Sequence, residues 1–175
     1  METMKAIAKR KSTRDFKPDQ VPEDILQKIL GAAYAAPVGL GEYNTIQLTV
    51  VQDPAMLDTL REAASKAFAG AGKNVFYGAP TLIIVSCTAG QVPELAMANA
   101  ACIVENMMLA ATDLGVDSVY IWSTVPAFRA QPPLARDIGL PGGFRPFASV
   151  ALGYAASPDD SEKDMTKATM PINRV

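Results

Sequence analysis

The segment 93–114 is the feature that most restricts how this chain can fold. Its only charged side chains are Glu94, Glu105 and Asp113, and apolar residues occur on every side of its helical projection. We therefore predict a helix that is buried nearly all round and ends at Gly115. A chain of 175 residues offers little surface of its own to cover such a helix. The most economical cover is the same helix of a second copy across a two-fold axis.

Helical and strand patterns alternate along the rest of the chain. Apolar residues recur at helical spacing after Pro22, which suits a first helical position, until Pro37 and Gly39 stop the pattern. Shorter apolar runs between turn residues predict strands. The predicted helices span 2–9, 22–36, 54–67, 93–114 and a stretch near 129–138, and the predicted strands span Ile46–Val51, 81–86, 118–123 and 147–152.

Charge and composition exclude several classes of function. The net charge of -2 provides no global positive field for nucleic acid or an anionic membrane surface. The chain has no histidine, which removes the usual zinc ligand sets and Ser-His or Cys-His catalysis, so we expect no metal. The amino terminus has no basic stretch before an apolar run, and polar residues interrupt the apolar segments. We therefore expect a cytoplasmic protein without a signal peptide or membrane span.

The two cysteines fall in segments that are predicted to be buried. Cys87 lies at the end of a predicted core strand and Cys102 lies in the predicted buried helix, where free thiols pack as small hydrophobic groups. Their number permits one disulfide, although cytosolic domains rarely contain one. We expect both thiols to be free.

The basic segment 9–14 is the one local candidate for binding an anion. It reads Lys-Arg-Lys-Ser-Thr-Arg and follows the first predicted helix. Guanidinium groups offer bidentate hydrogen bonds, and concentrated positive charge favours a dianion such as a phosphate monoester. The alternative is a solvated charged turn, because basic hexamers are common on protein surfaces.

Five parts of the sequence match, in order and spacing, the motifs of one family. They are Arg10-Lys11-Ser12-Thr13-Arg14, Ala36-Pro37-Val38-Gly39, Gly78-Ala79-Pro80 with the apolar strand behind it, Glu105-Asn106-Met107-Met108 in the central helix, and Ile138-Gly139-Leu140-Pro141 with Val150-Ala151-Leu152-Gly153-Tyr154. Such a series is hard to obtain by chance. From about Met4 to Tyr154 the chain resembles the FMN-dependent nitroreductases.

The resemblance implies a fold and an assembly. The expected class is α+β, with three layers in α-β-α order, a central mostly antiparallel sheet and an intertwined homodimer that shares its FMN sites. Residues 1–175 would form a single FMN-binding domain. The tail 155–175 is polar and too poor in apolar residues for a core of its own, so we expect it to extend and wrap on the partner subunit.

The resemblance also implies which residues bind the cofactor. Arg10, Lys11, Ser12 and Arg14 would hold the FMN phosphate, the ribityl chain and the pyrimidine edge of the ring. Pro37, Val38 and Gly39 would reach the flavin of the other subunit. Trp122, Ser123 and Thr124 would present backbone and hydroxyl groups to the flavin. For Trp122, a place in the core stays an equal alternative.

Three departures from the family pattern bear on the site. Val38 stands where the family has a serine, and the loop 42–46 does not keep the family's usual motif. The carboxy-terminal arginine that often completes the phosphate site has no clear counterpart. Lys163, Lys167 and Arg174 are its candidate replacements, and we include Lys167 in the predicted site.

The implied activity is that of an FMN-dependent oxidoreductase. A hydride from NADH or NADPH would pass through flavin N5 to an electron-poor acceptor, such as a nitroaromatic compound, a quinone or an activated alkene. The flavin would carry the chemistry, so no catalytic side chain is predicted. The alternatives are a reductive dehalogenase-like or flavin-fragmenting enzyme on the same scaffold, a flavin-binding or storage protein, and an interaction module that lost turnover.

Overall fold

A computed structural model describes residues 1–70, 73–88, 92–167 and 169–175 of the chain. Within these residues, helices and strands occur in the predicted sequence order. The helices are α1 (Thr3–Lys9), α2 (Glu23–Tyr34), α3 (Pro54–Ala64), α4 (Pro93–Asp113), α5 (Thr124–Ala130) and α6 (Leu134–Asp137). The strands are β1 (Ile46–Val51), β2 (Thr81–Thr88), β3 (Asp117–Ile121) and β4 (Phe144–Gly153).

The four strands form one antiparallel sheet in the order β1-β2-β4-β3. Strand β2 lies in its interior, and its residues alternate between two hydrophobic cores because successive side chains point to opposite faces. Ile83 and Val85 belong to one core, and Leu82 and Ile84 belong to the other. Both faces of the sheet are therefore buried.

Helices cover the two faces of the sheet and create three layers. The core on one face includes buried residues of α2 and α4, whereas the core on the other face includes residues of α3, α5 and α6. The predicted α+β class and its α-β-α layers around an antiparallel sheet are confirmed.

Several boundaries differ from the prediction, among them one where a turn follows a strand and one where proline interrupts a helix; α3 is also shorter than predicted, and β2 and β4 are longer. The strand predicted over 118–123 ends at Ile121, because the chain then turns and Val125 N donates to the carbonyl of Trp122. The helical stretch predicted near 129–138 is split between α5 and α6 by Pro132 and Pro133, which lack an N–H to continue the helix. Helix α2 begins one residue after Pro22, which serves as its N-cap.

Within the single chain, helix α4 is buried on one side only. We predicted that the chain alone would not cover this helix, and its cover by a second copy stays a prediction. Residues such as Ala96, Ala100 and Val104 are fully buried, but Ala98 and Cys102 are exposed. The reason is that α2 and the sheet cover only one side of the helix. Helix α4 is long and apolar enough to cross a membrane by length and composition alone, with 44% of the relevant window buried. Its packing in this fold is that of a core helix.

The two thiols occupy different environments. Cys87 is buried, and burial raises the pKa of its thiol to about 11, although Arg145 nearby acts in the opposite direction. Cys102 is exposed on the uncovered side of α4, where the predicted second copy of the helix would have to cover it. Both thiols are free, as predicted.

Candidate functional site

After α1, residues 10–14 of the basic segment run alongside the edge of the sheet and are hydrogen-bonded to it. Thr13 N donates to Ser118 O at 3.0 Å, and Phe16 forms an isolated bridge with Ala155. Side chains alternate in an extended segment, so the half-buried Thr13 faces the sheet while Ser12 and Arg14 are exposed. The predicted phosphate-binding side chains are therefore presented outward from a fixed backbone.

Arg10 lies at the start of this segment, beside α4. Its Nε is 3.4 Å from Glu105 Oε1, and its side chain is only 21% exposed. Glu105 itself is half exposed on the uncovered side of α4. The guanidinium group therefore reaches the same face of α4 that the single chain leaves open.

Lys11 is bound by the carboxy-terminal tail of the same chain. Its Nζ lies 2.6 Å from Asp159 Oδ2, and it donates to Asp159 O and to Ser161 Oγ, both at 2.8 Å. The hydrogen bond from Lys11, with others from Ser161, lowers the pKa of the Asp159 carboxyl to about 2. This part of the tail contacts its own subunit.

Lys163 crosses the end of α1 and joins Arg10 and Lys11. Its backbone N donates to Ala8 O at 3.0 Å, and its Nζ donates to Ile7 O at 3.1 Å. Burial lowers the pKa of the Lys163 ammonium, and the neighbouring charges of Arg10 and Lys11 lower it further. We call Arg10, Lys11 and Lys163 the cationic cluster.

The other basic residues that were considered for the carboxy-terminal position lie farther along the tail. Lys167 and Arg174 are both exposed, and neither forms an ion pair with any residue that the structure describes. Of the three candidates, Lys163 is the one that the structure brings to the basic segment. The sequence offered no signal for this choice, because all three lie in a polar tail.

The cationic cluster has the chemistry of an anion site. Glu105 and Asp159 offset two of its three positive charges. The exposed Ser12 hydroxyl and the Arg14 guanidinium lie on the same segment, and the Arg14 contact that the structure records is a long one, 3.5 Å to Ser12 O. These donors fit a phosphate monoester, which accepts several charge-assisted hydrogen bonds at once.

The turn 37–39 is held against α4 by a buried side chain. Gly39 N donates to Asn99 Oδ1 at 2.9 Å, and Asn99 is only 3% exposed. A Cβ at Gly39 would lie 2.6 Å from Leu95 Cδ1, so a larger residue here would require the Leu95 side chain to move. Pro37 is exposed, whereas the Val38 side chain belongs to the core. Of the three residues predicted to reach a flavin, only Pro37 presents an exposed side chain.

The segment 122–124 places one aromatic side chain on the surface. Trp122 is 42% exposed and packs edge-on against Phe68, with ring centroids 5.6 Å apart, so the core alternative for the indole is wrong. Ser123 and Thr124 are buried, and the Thr124 hydroxyl shares a hydrogen bond of 2.8 Å with Ser149. The hydroxyl group of Thr124 therefore lies in the interior of the subunit, bonded to Ser149.

Helix α4 connects two of the predicted parts of the site. Asn99 holds the turn 37–39 and Glu105 contacts Arg10. Six steps along the helix, about 9 Å of axial rise, separate them. Both were visible in the sequence as polar interruptions of an apolar helix, although their roles were not predicted. In the described part of the chain, no group of three or more histidine, cysteine or acidic residues could hold a metal ion.

Comparison with known proteins finds relatives over almost the whole chain. The chain is 30% identical over 159 residues to a protein of Methanothermobacter thermautotrophicus with the provisional name NADH dehydrogenase/NAD(P)H nitroreductase, covering 89% of this chain and 78% of that protein. A protein of Archaeoglobus fulgidus with the same provisional name is 30% identical, covering 98% and 94%.

Solved structures show the same fold. The nitroreductase of Bacteroides fragilis with bound FMN superposes with a TM-score of 0.83 at 32% identity, covering 99% of this chain and 100% of that one. The nitroreductase of Desulfitobacterium hafniense with bound FMN gives a TM-score of 0.84 at 28% identity, covering 98% and 100%. The model of the nitroreductase family matches residues 7–154. On this evidence, the chain belongs to the nitroreductase family.

Proposed function

We propose that this chain is a cytoplasmic, FMN-dependent NAD(P)H oxidoreductase that reduces electron-poor acceptors such as nitroaromatic compounds, quinones or activated alkenes. The observation that carries the proposal is the cationic cluster of Arg10, Lys11 and Lys163 in a chain that aligns over nearly its full length with FMN-bound nitroreductases. A cofactor phosphate supplies the dianion that such a cluster fits. Residues 1–175 act as a single domain.

The proposed cofactor contacts follow from where the side chains lie. Arg10, Ser12 and Arg14 bind the phosphate, the ribityl chain and the pyrimidine edge, and Lys163 completes the phosphate site in preference to Lys167. Lys11 contributes charge while it stays paired with Asp159. Positive charge beside the ring makes it easier for the ring to accept negative charge.

The proposal includes a homodimer built on α4. The uncovered side of α4 carries small residues, among them Ala98 and Cys102, that allow two helices to approach closely. Pairing two copies of α4 would bury this face and bring Pro37 and Gly39 of one subunit towards the cofactor of the other. Beyond Lys163 the tail is exposed, and we propose that it wraps on the partner subunit.

Bound FMN would take a hydride from NADH or NADPH and pass electrons to the acceptor. The chain's own residues then have three tasks: they bind the phosphate, orient the ring and exclude water from it. Protons come from water or from a hydroxyl group, because the chain has no histidine. We propose that the ring lies beside exposed Trp122, whose indole packs against Phe68.

The proposal is tested by purifying the protein and following its absorption. We expect a yellow protein that releases FMN on heating and is bleached by NADH or NADPH without oxygen, with colour restored by a quinone or nitroaromatic compound. A yellow protein that no nicotinamide bleaches would be a flavin-binding or storage protein. A colourless protein that refuses added FMN would contradict the proposal and favour an interaction module.

A further inference from the structure

Asp117 is a single carboxylate that holds two separate parts of the chain. Its Oδ1 accepts a hydrogen bond of 3.1 Å from the Thr13 hydroxyl, and its Oδ2 accepts one of 2.9 Å from Ala155 N. Thr13 is the inward-facing residue of the basic segment, and Ala155 begins the tail. Asp117 itself is the first residue of β3 and is partly buried.

The backbone around Asp117 is closely packed, and the two hydrogen bonds hold its carboxylate in place. Asp117 pairs with Gly153 in the sheet. A Cβ at Gly153 would lie 2.8 Å from Pro80 Cδ and 3.0 Å from Phe16 Cδ1, so nothing larger than glycine fits there. Because Thr13 and Ala155 are both bound to this fixed group, their positions relative to each other are also fixed.

Each bonded partner leads directly to one half of the anion site. Thr13 lies between Ser12 and Arg14, which alternation directs outward. From Ala155 the tail continues to Asp159, which binds Lys11, and then to Lys163, whose backbone N donates to Ala8 O at the end of α1. We infer that Asp117 is a positioning residue that sets the basic segment and the tail in register, so that both deliver their cations to one phosphate.

The inference rests on the proposed function and predicts a loss that depends on the cofactor phosphate. A misplaced segment 10–14 weakens contacts to the phosphate as well as to the ribityl chain and the ring, whereas riboflavin offers only the last two. We expect Thr13→Val and Asp117→Ala each to weaken FMN affinity about tenfold, since a hydrogen bond to a charged group is lost. Riboflavin affinity should fall clearly less than FMN affinity, and Thr13→Ser, which keeps the hydroxyl, should bind FMN as the unaltered protein does.

The experiment is a titration of FMN and of riboflavin into the full-length protein and its variants. Asp113→Ala is the matched control, because Asp113 is a nearby carboxylate whose recorded partner is the amino terminus of Met1. If Asp117→Ala does not fold, the comparison of Thr13→Val with Thr13→Ser decides the question. Equal losses for FMN and riboflavin, or no loss of FMN affinity, would overturn the inference and leave the proposed function intact. Failure of the unaltered protein to bind FMN would overturn both.

Discussion

Individual side chains of the basic segment have different partners, although the sequence presents them as one charged run. Arg10 contacts α4, Lys11 contacts the tail, and Arg14 points outward. Alternation of an extended strand explains the outward residues. The partners on α4 and on the tail depend on tertiary packing, which spacing alone does not encode.

The contact between Lys11 and the tail should depend on pH through Asp159. The pKa of this carboxyl is lowered to about 2, from an ordinary value near 4. The stabilisation that its ion pair with Lys11 gives to the folded tail is therefore fully present at pH values above the ordinary pKa. This stabilisation is lost as the pH falls through about 2. We expect the Lys163 amide, bonded to Ala8 O, to lose hydrogen-exchange protection between about pH 4 and pH 2.

The control for this pH effect is the Thr13 amide, which is bonded to Ser118 O. Its protection, taken relative to the intrinsic exchange rate, should persist over the same range. The variant Asp159→Asn should expose the Lys163 amide already at pH 7. Full protection of Lys163 in that variant would show that the tail is held without Asp159.

At the scale of helices and strands, most of the fold could be predicted because apolar patterns are direct consequences of burial. Strand β1 was predicted with its observed bounds, and the apolar run of β2 was predicted as a strand, although the strand extends two residues beyond the predicted end. The prediction failed where a tertiary effect decides, as at the turn after Ile121. Similarly, the roles of Asn99 and Asp117 depend on contacts between segments that are distant in the chain, and the spacing of apolar residues does not indicate such contacts.

The interior position of β2 predicts a large cost for removing one of its side chains. Ile83 is fully buried, so Ile83→Ala should lower the free energy of unfolding by about 2–5 kcal/mol. Val50→Ala, in the edge strand β1 at a side chain that is 37% exposed, should cost less than about 1 kcal/mol. Chemical denaturation of both variants measures the difference. Equal losses would contradict the assigned order of the strands.

At the scale of the whole molecule, the open face of α4 predicts that assembly and cofactor binding are linked. Ala98→Arg places a long charged side chain on this face, which should prevent two copies of α4 from approaching. We expect the variant to sediment as a monomer and to lose most of its FMN. Ala55→Arg adds the same charge to an exposed position of α3 and should leave both properties unchanged.

A monomeric Ala98→Arg variant that kept its flavin would show that one subunit contains the complete site. A dimeric variant would show that the subunits meet elsewhere. In the unaltered dimer, Cys102 should resist alkylation although it is exposed in the single chain.

The measurement that tests the central claim most directly is the FMN dissociation constant of the double variant Arg10→Ala/Arg14→Ala. Loss of two charge-assisted contacts to the cofactor should weaken FMN binding about 100-fold or more. The control Arg61→Ala/Arg136→Ala removes the same charge from α3 and α6, and it should bind FMN normally. If the two double variants bound FMN equally well, the cationic segment would not be the phosphate site.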